Sequence, residues 1–143
     1  MRGLIQRVSH ASVVVDGMTV GQIEAGLLLL LGVEKGDDET KLDKLLHKII
    51  NYRIFPDAAG HMNRSLLDTA GGLLVVSQFT LAADTQKGLR PSFSSAAPPD
   101  QAEVLYELFV QRARLKVDPV ATGVFGADMA VSLLNDGPVT FLL

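Results

Sequence analysis

The five consecutive leucines Leu27 to Leu31 are the longest apolar run of the chain and constrain its fold more than any other feature. The run is far short of the roughly 20 residues a membrane-spanning helix needs. It is bounded by glycines, and Leu27 to Val33 reads as a strand buried on both faces. Leu73-Leu74-Val75-Val76 repeats that character, and a second strand is expected from Leu73 to Leu81. Strands of this kind belong inside a sheet with both faces covered.

Other strands gather around these two. Residues 2 to 15 alternate roughly, with Leu4, Ile5, Val8, Val13, Val14 and Val15. Asp16-Gly17 signals a turn into a short return strand, Thr19 to Ile23. Lys116 to Ala121, Met129 to Leu134 and Val139 to Leu143 complete the set. Arg53-Ile54-Phe55 reads as a short extended piece, and residues 57 to 72 as irregular, punctuated by Gly60, Gly71 and Gly72. Two segments carry a helical period. Leu42, Leu45, Leu46, Ile49 and Ile50 share one face of a helix opened by Asp37, Asp38 and Glu39. Pro98-Pro99-Asp100 opens another, striped by Leu105, Leu108, Phe109 and Ala113. Residues 82 to 98 form a connection long enough to suggest function. The strands come in groups and not in strict alternation with helices. One α+β domain over residues 1–143 is expected, with a sheet or barrel-like core and two amphipathic helices.

Composition removes several kinds of chemistry. With no Cys, disulfides and thiolate catalysis are excluded. His10, His47 and His61 are not spaced as metal ligands, so no metal site is expected. No cofactor-binding motif is present either. A net charge of −3 and a pI near 5.5 disfavour a bulk nucleic-acid binder but allow a local basic face. The N-terminal Met1-Arg2-Gly3-Leu4 lacks the long apolar region of a signal peptide, and a cytoplasmic location is expected. A hydrophobic content of 48% hints at apolar surface covered by a partner subunit.

Two polar islands interrupt the apolar pattern: Ser77-Gln78-Phe79-Thr80 and Asn135-Asp136-Gly137-Pro138-Val139-Thr140. Each stands at the end of an expected strand, where a rigid scaffold displays functional groups. Ser77 and Thr80 lack a G-x-S-x-G elbow, and hydroxyls at strand ends commonly bond their own backbone. A bend after Gln78 would instead aim the amides of Phe79 and Thr80 at an oxyanion. Gly137-Pro138 reads either as a plain turn or, if cis, as a rigid claw of carbonyls. Arg112, Arg114 and Lys116, with Lys87 and Arg90, read as solvated surface or as a phosphate-contacting rim. Phe125-Gly126-Ala127-Asp128-Met129 reads as core or as the wall of a pocket for a stacked base.

Taken in order, these elements resemble the D-aminoacyl-tRNA deacylase family, also called D-tyrosyl-tRNA deacylases. The resemblance rests on Ser77 to Leu81 and Asn135 to Thr140. Gln6-Arg7-Val8, Arg53-Ile54-Phe55, Gly60 to Asn63, Gly88 to Phe93 and Gly123 to Met129 support it. His61 stands where the family often has Lys. The resemblance implies a homodimer that hydrolyses the ester between a D-amino acid, or mischarged glycine, and the 3′-terminal adenosine of tRNA. It implies a cis Gly137-Pro138 peptide reaching into the partner's site, facing Ser77, Gln78, Phe79 and Thr80. It further implies that Arg7 steadies the Gly-Pro segment and that Phe125, Gly126, Ala127 and Met129 form the adenosine pocket. The implied mechanism uses water, the Phe79 and Thr80 amides and the adenosine 2′-hydroxyl. Thr80 as a covalent nucleophile is the competing mechanism; an RNA-binding module without catalysis and a generic esterase are the competing functions.

Overall fold

The computed structural model describes all of residues 1–143. In chain order the elements are β1 (Arg2–Val15), β2 (Met18–Ile23), β3 (Gly26–Gly32), α1 (Glu39–Asn51), β4 (Phe55–Pro56), β5 (Met62–Arg64) and α2 (Leu66–Thr69). They continue with β6 (Gly72–Ser77), a 3₁₀ turn (Phe79–Ala82), α3 (Pro99–Arg114), β7 (Val120–Thr122) and β8 (Ala130–Leu142).

The main sheet runs β2-β1-β3-β6-β7, with β8 also paired to β1. β1 is antiparallel to β2, β3 and β8. β6 is parallel to β3 and to β7, and those two connections pass through helices, as parallel pairing requires. The sheet curls until its far strands nearly meet. A Cβ added to Gly21 of β2 would lie 2.2 Å from the Thr122 carbonyl oxygen of β7. The result is a nearly closed, barrel-like sheet of mixed direction, with helices on its outer face.

The leucine run explains why the sheet has two cores. Leu27, Leu29 and Leu31 face outward with Leu73 and Val75, packing on α1 and α3. Leu28 faces inward with Leu74 and Val76, meeting Val8, Val13 and Ile23 inside the barrel. β1 serves both layers by slipping its alternation once. Ile5 belongs to the helix-side core, while Val8, Ala11 and Val13 all belong to the interior, and the register with β8 shifts between Val8 and Ala11.

α1 follows the expected pattern, burying Leu42, Leu45, Leu46, Ile49 and Ile50. The Asp38 side chain caps it by accepting from the Lys41 N–H at 2.9 Å. α3 buries Leu105, Phe109 and Ala113 as expected, and also Ala102, Tyr106 and Val110, while Leu108 is half-buried. Arg112 near its end bridges to α1, donating from Nη1 to Asp43 at 2.7 Å and from Nη2 to Glu39. These carboxylates hold the Arg112 guanidinium above its ordinary pKa.

Several boundaries differ from the sequence reading. There are three α-helices, not two, because α2 forms inside the stretch expected to be irregular. It is one turn long and held by a reciprocal capping box between Ser65 and Asp68, a device without apolar period. The strand expected to end at Leu81 stops at Ser77, where the chain turns into the 3₁₀ turn. Lys116 and Val117 close α3 by donating to the Ala113 carbonyl, so β7 starts only at Val120. The two strands expected at the C-terminus are one bulged strand, β8.

Close backbone contact at Gly26 and Gly72 brings β3 and β6 together, since a Cβ on Gly26 would sit 2.0 Å from the Gly72 carbonyl oxygen. Gly26→Ala should therefore destabilise the fold by about 3 kcal/mol or more, the upper end for overpacking. The check is the urea midpoint against wild type, with Gly17→Ala, which meets no atom within 4 Å but has φ +77°, as a strain-only comparison.

Candidate functional site

The first polar island sits where β3 and β6 end side by side. Leu31 is in register with Ser77, and the Gln78 N–H then donates to the Leu31 carbonyl at 2.8 Å. That bond carries the chain past the strand end into the 3₁₀ turn. Gly32 makes room for it: a Cβ there would lie 3.0 Å from the Gln78 carbonyl oxygen. Phe79 and Thr80 open the turn, and the first amides of any such turn have no partner within it.

A cavity of about 440 Å³ lies beside this corner. Ser77, Gln78 and Phe79 form one side and Phe125, Gly126, Ala127 and Met129 another. Ala96, Ala97 and Pro99 close a third, tied to the segment just after β3 by Ala97 N–H to Val33 O at 3.1 Å and Lys35 N–H to Ser95 O at 3.0 Å. The Phe125 wall is fixed by Gly123 N–H donating to Val75 O at 3.1 Å and by Gly126 at φ +76°, a conformation suited to glycine.

Tyr106 of α3 also lines the cavity, and the sequence reading missed it. It fits the helix's apolar period and so disappears into the core pattern. Its hydroxyl donates to Val75 O at 3.0 Å, and its ring packs on Phe125 at 5.6 Å between centroids. Burial pushes its pKa up to about 12, with Glu107 adding to the rise.

The lining contains no His, Asp, Glu, Lys, Arg or Cys. His10, His47 and His61 are all exposed and lie outside it. Thr80 is also exposed and outside the lining; its hydroxyl accepts from the Gln78 side-chain amide at 2.5 Å. Ser77 lines the cavity and is half-buried. No group in this chain stands ready to deprotonate either hydroxyl.

The second island forms a separate feature. Gln6 pairs with Thr140 and Val8 with Asn135, so Asp136 to Val139 bulge out opposite Arg7 alone. Arg7 donates from Nε to the Asp136 carbonyl at 3.1 Å and from Nη1 to the Ile54 carbonyl at 2.7 Å. Asn135 staples the bulge from inside: Oδ1 accepts from the Val139 N–H at 3.1 Å, and Nδ2 donates to Thr140 Oγ1 at 2.9 Å. The Gly137–Pro138 peptide is cis, Gly137 has φ +129°, and both residues are exposed. Arg7, Gly137 and Pro138 do not line this chain's own cavity. The structure thus gathers Ser77, Gln78, Phe79, Phe125, Gly126, Ala127 and Met129 at one site, and Arg7, Gly137 and Pro138 at another.

A barrel-like mixed sheet with an apolar cavity at a parallel strand end defines a fold that other chains share. One solved structure, a c-Myc DNA unwinding element binding protein, matches all of this chain and 97% of its own at 40% identity and a TM-score of 0.96. A second, described as a probable eukaryotic D-amino acid tRNA deacylase, matches 99% of this chain and 97% of its own at 17% identity and a TM-score of 0.84; it shows the common fold. The family described as D-Tyr-tRNA(Tyr) deacylase matches residues 4–143. D-aminoacyl-tRNA deacylase of Stutzerimonas stutzeri is 64% identical over 100% of this chain and 99% of its own, and that of Pseudoalteromonas translucida is 66% identical over the same shares. The chain belongs to the D-aminoacyl-tRNA deacylase family, a family of enzymes.

Two measurements test the geometry. Arg7→Ala removes two charge-assisted donors and should cost about 2 to 4 kcal/mol in denaturant unfolding, two such bonds at reduced worth for partial exposure. Alkaline titration by phenolate absorbance should show one of the two tyrosines ionising near pH 12, a step missing from Tyr106→Phe. Because that value is raised above the ordinary 10, the stability carried by the neutral hydroxyl is complete below pH 10 and lost as pH rises towards 12.

Proposed function

We propose that residues 1–143 act as one D-aminoacyl-tRNA deacylase domain that hydrolyses D-aminoacyl-tRNA, and glycine mischarged on tRNA, in the cytoplasm. The observation that carries this reading is the cavity lining, which holds no carboxylate, imidazole, amine, guanidinium or thiol, and whose Ser77 hydroxyl has no base beside it. Such a lining suits a substrate that is already activated. An aminoacyl ester is one, and its terminal adenosine offers a flat apolar body to the wall Phe125, Gly126, Ala127 and Met129.

In the proposed mechanism, water attacks the ester carbonyl and the Phe79 and Thr80 amides stabilise the oxyanion. The 2′-hydroxyl of the adenosine orients the water. The C–O3′ bond breaks, the 3′-oxygen takes a proton, and free amino acid and tRNA leave. Ser77 and Gln78 border the ester. Thr80 supplies an amide and no nucleophile, in keeping with its exposed side chain held by Gln78.

We also propose that the site is completed in a homodimer. β8 forms a 13-residue sheet edge with exposed Leu134 and Leu142, the kind of edge proteins cover. Gly137 and Pro138 project from that edge and would present their carbonyls to the partner's cavity. There they would grip the α-carbon, leaving room for hydrogen or a D side chain and clashing with an L side chain. No helix is long and apolar enough to cross a membrane.

Deacylation of matched D- and L-aminoacyl-tRNA, with glycyl-tRNA alongside, tests the reading: fast D and glycyl release and negligible L release are expected, and equal D and L rates refute it. Thr80→Ala should keep deacylation within about tenfold of wild type, whereas loss of a covalent nucleophile would abolish it. Pro138→Ala should raise L-aminoacyl release, read as the L/D ratio of kcat/KM.

A further inference from the structure

The long connection between the 3₁₀ turn and α3 is not used by the mechanism above, yet it is ordered around two exposed aromatics. Phe79 lines the cavity mouth and is 63% exposed; Phe93, 41% exposed, leans on it with ring centroids 5.1 Å apart. Large aromatic rings are normally far more buried than this. Between them the chain makes a closed excursion. Asp84 and Ser92 exchange backbone hydrogen bonds, Asp84 N–H to Ser92 O at 2.8 Å and Ser92 N–H to Asp84 O at 3.0 Å. The Asp84 carboxylate accepts from the Gln86 N–H at 2.9 Å, and the Ser95 hydroxyl donates to the Ala82 carbonyl. With seven residues between the paired ends, the tip reaches no more than about 14 Å from the neck.

That excursion, Thr85 to Phe93, contains Lys87 and Arg90 and no acidic residue, in a chain of net charge −3. Both side chains are exposed, and neither forms an ion pair. Exposed aromatic faces beside unpaired cations are the elements with which proteins hold single-stranded nucleic acid: bases stack on the rings and phosphates meet the cations.

We propose that this loop is a second nucleotide subsite, in which Phe93 stacks the base preceding the terminal adenosine and Lys87 and Arg90 contact the adjoining phosphates. The inference rests on placing the adenosine in the cavity. If the adenosine lies there, covalent connectivity brings its 5′-phosphate and the preceding nucleotide out through the mouth, where Phe79 and Phe93 lie. The loop then senses nucleotides that take no part in the chemistry, and separates aminoacyl-tRNA from free aminoacyl esters by binding alone.

The test uses two non-hydrolysable probes: 3′-deoxy-3′-(D-alanylamino)adenosine, and the same nucleoside extended at its 5′ side by two cytidylates. Wild type should bind the extended probe about tenfold more tightly, the low end for one stacked base plus phosphates. Phe93→Ala should lose most of that gain, keeping only the salt-dependent part carried by Lys87 and Arg90, and should bind the short probe as wild type does. Lys87→Gln with Arg90→Gln should flatten the salt dependence for the extended probe, its log–log slope falling by about 1.4. The proposal is overturned if extension brings wild type no gain, if Phe93→Ala keeps the gain, or if these variants change the oligomeric mass, which would make the patch a contact between copies. If wild type binds neither probe, the adenosine site itself is misplaced and the subsite falls with it; binding of the short probe without a gain refutes the subsite alone.

Discussion

The parallel pairing of β3 with β6 is the constraint on which the rest of the molecule depends. It places Leu31 beside Ser77, so both strands end at one level. The chain leaving β6 then bonds back to β3 through Gln78, and Val33, just after β3, borders the same space and pairs with Ala97 ahead of α3. Parallel strands whose ends lie together at one edge of a sheet leave a crevice there, the place where open α/β sheets bind ligands. The pair also separates the two cores. Its leucines and valines alternate between the helices and the barrel interior, so a slip of one residue would exchange the layers and dismantle the cavity wall.

Pairing of this tightness needs glycine at both ends of the contact. Gly26 and Gly72 touch through their backbones, and Gly21 does the same against Thr122 where the sheet nearly closes. These glycines hold the barrel narrow. The barrel interior holds Leu28, Leu74, Val76 and the interior residues of β1, and the cavity lies at the sheet's end beside α3, with Val76 reaching its lining.

How much of this was legible in the sequence depends on how local the cause is. The leucine strand and the buried face of α1 are written in periodicity, and both stand as read. The end of β6 is not: Leu73 to Leu81 looks continuous because Phe79 and Leu81 keep the apolar rhythm, and only the tertiary bond from Gln78 to Leu31 turns the chain. β8 misleads in the opposite direction. Asn135 to Pro138 has the composition of a turn between strands, yet pairing with β1 resumes at Thr140, so one strand carries a bulge. Tyr106 was hidden for a third reason. A tyrosine in an apolar helical stripe looks like core, and it is core, with one edge given to the cavity.

The two islands were visible because they break the apolar pattern, but their side chains are not what they offer. Arg7 donates to backbone carbonyls, Asn135 staples the bulge, and Gln78 holds the Thr80 hydroxyl. Arg7 and Asn135 fix the direction of neighbouring peptide groups, while Gln78 holds a side-chain hydroxyl. Under the proposed mechanism the peptide groups of the two islands carry both catalysis and discrimination. This arrangement has a consequence for reading variants. Replacing a side chain cannot delete an amide or a carbonyl, only let it drift, and a drift of about 1 Å costs a hundredfold in rate. Loss of Arg7 would then reduce activity as loss of a catalytic group does, although its guanidinium is spent on Asp136 and Ile54. Stability separates the two cases. A catalytic side chain can be removed with little effect on unfolding, whereas one that fixes backbone loses its hydrogen bonds along with the activity, so the two losses should rise together.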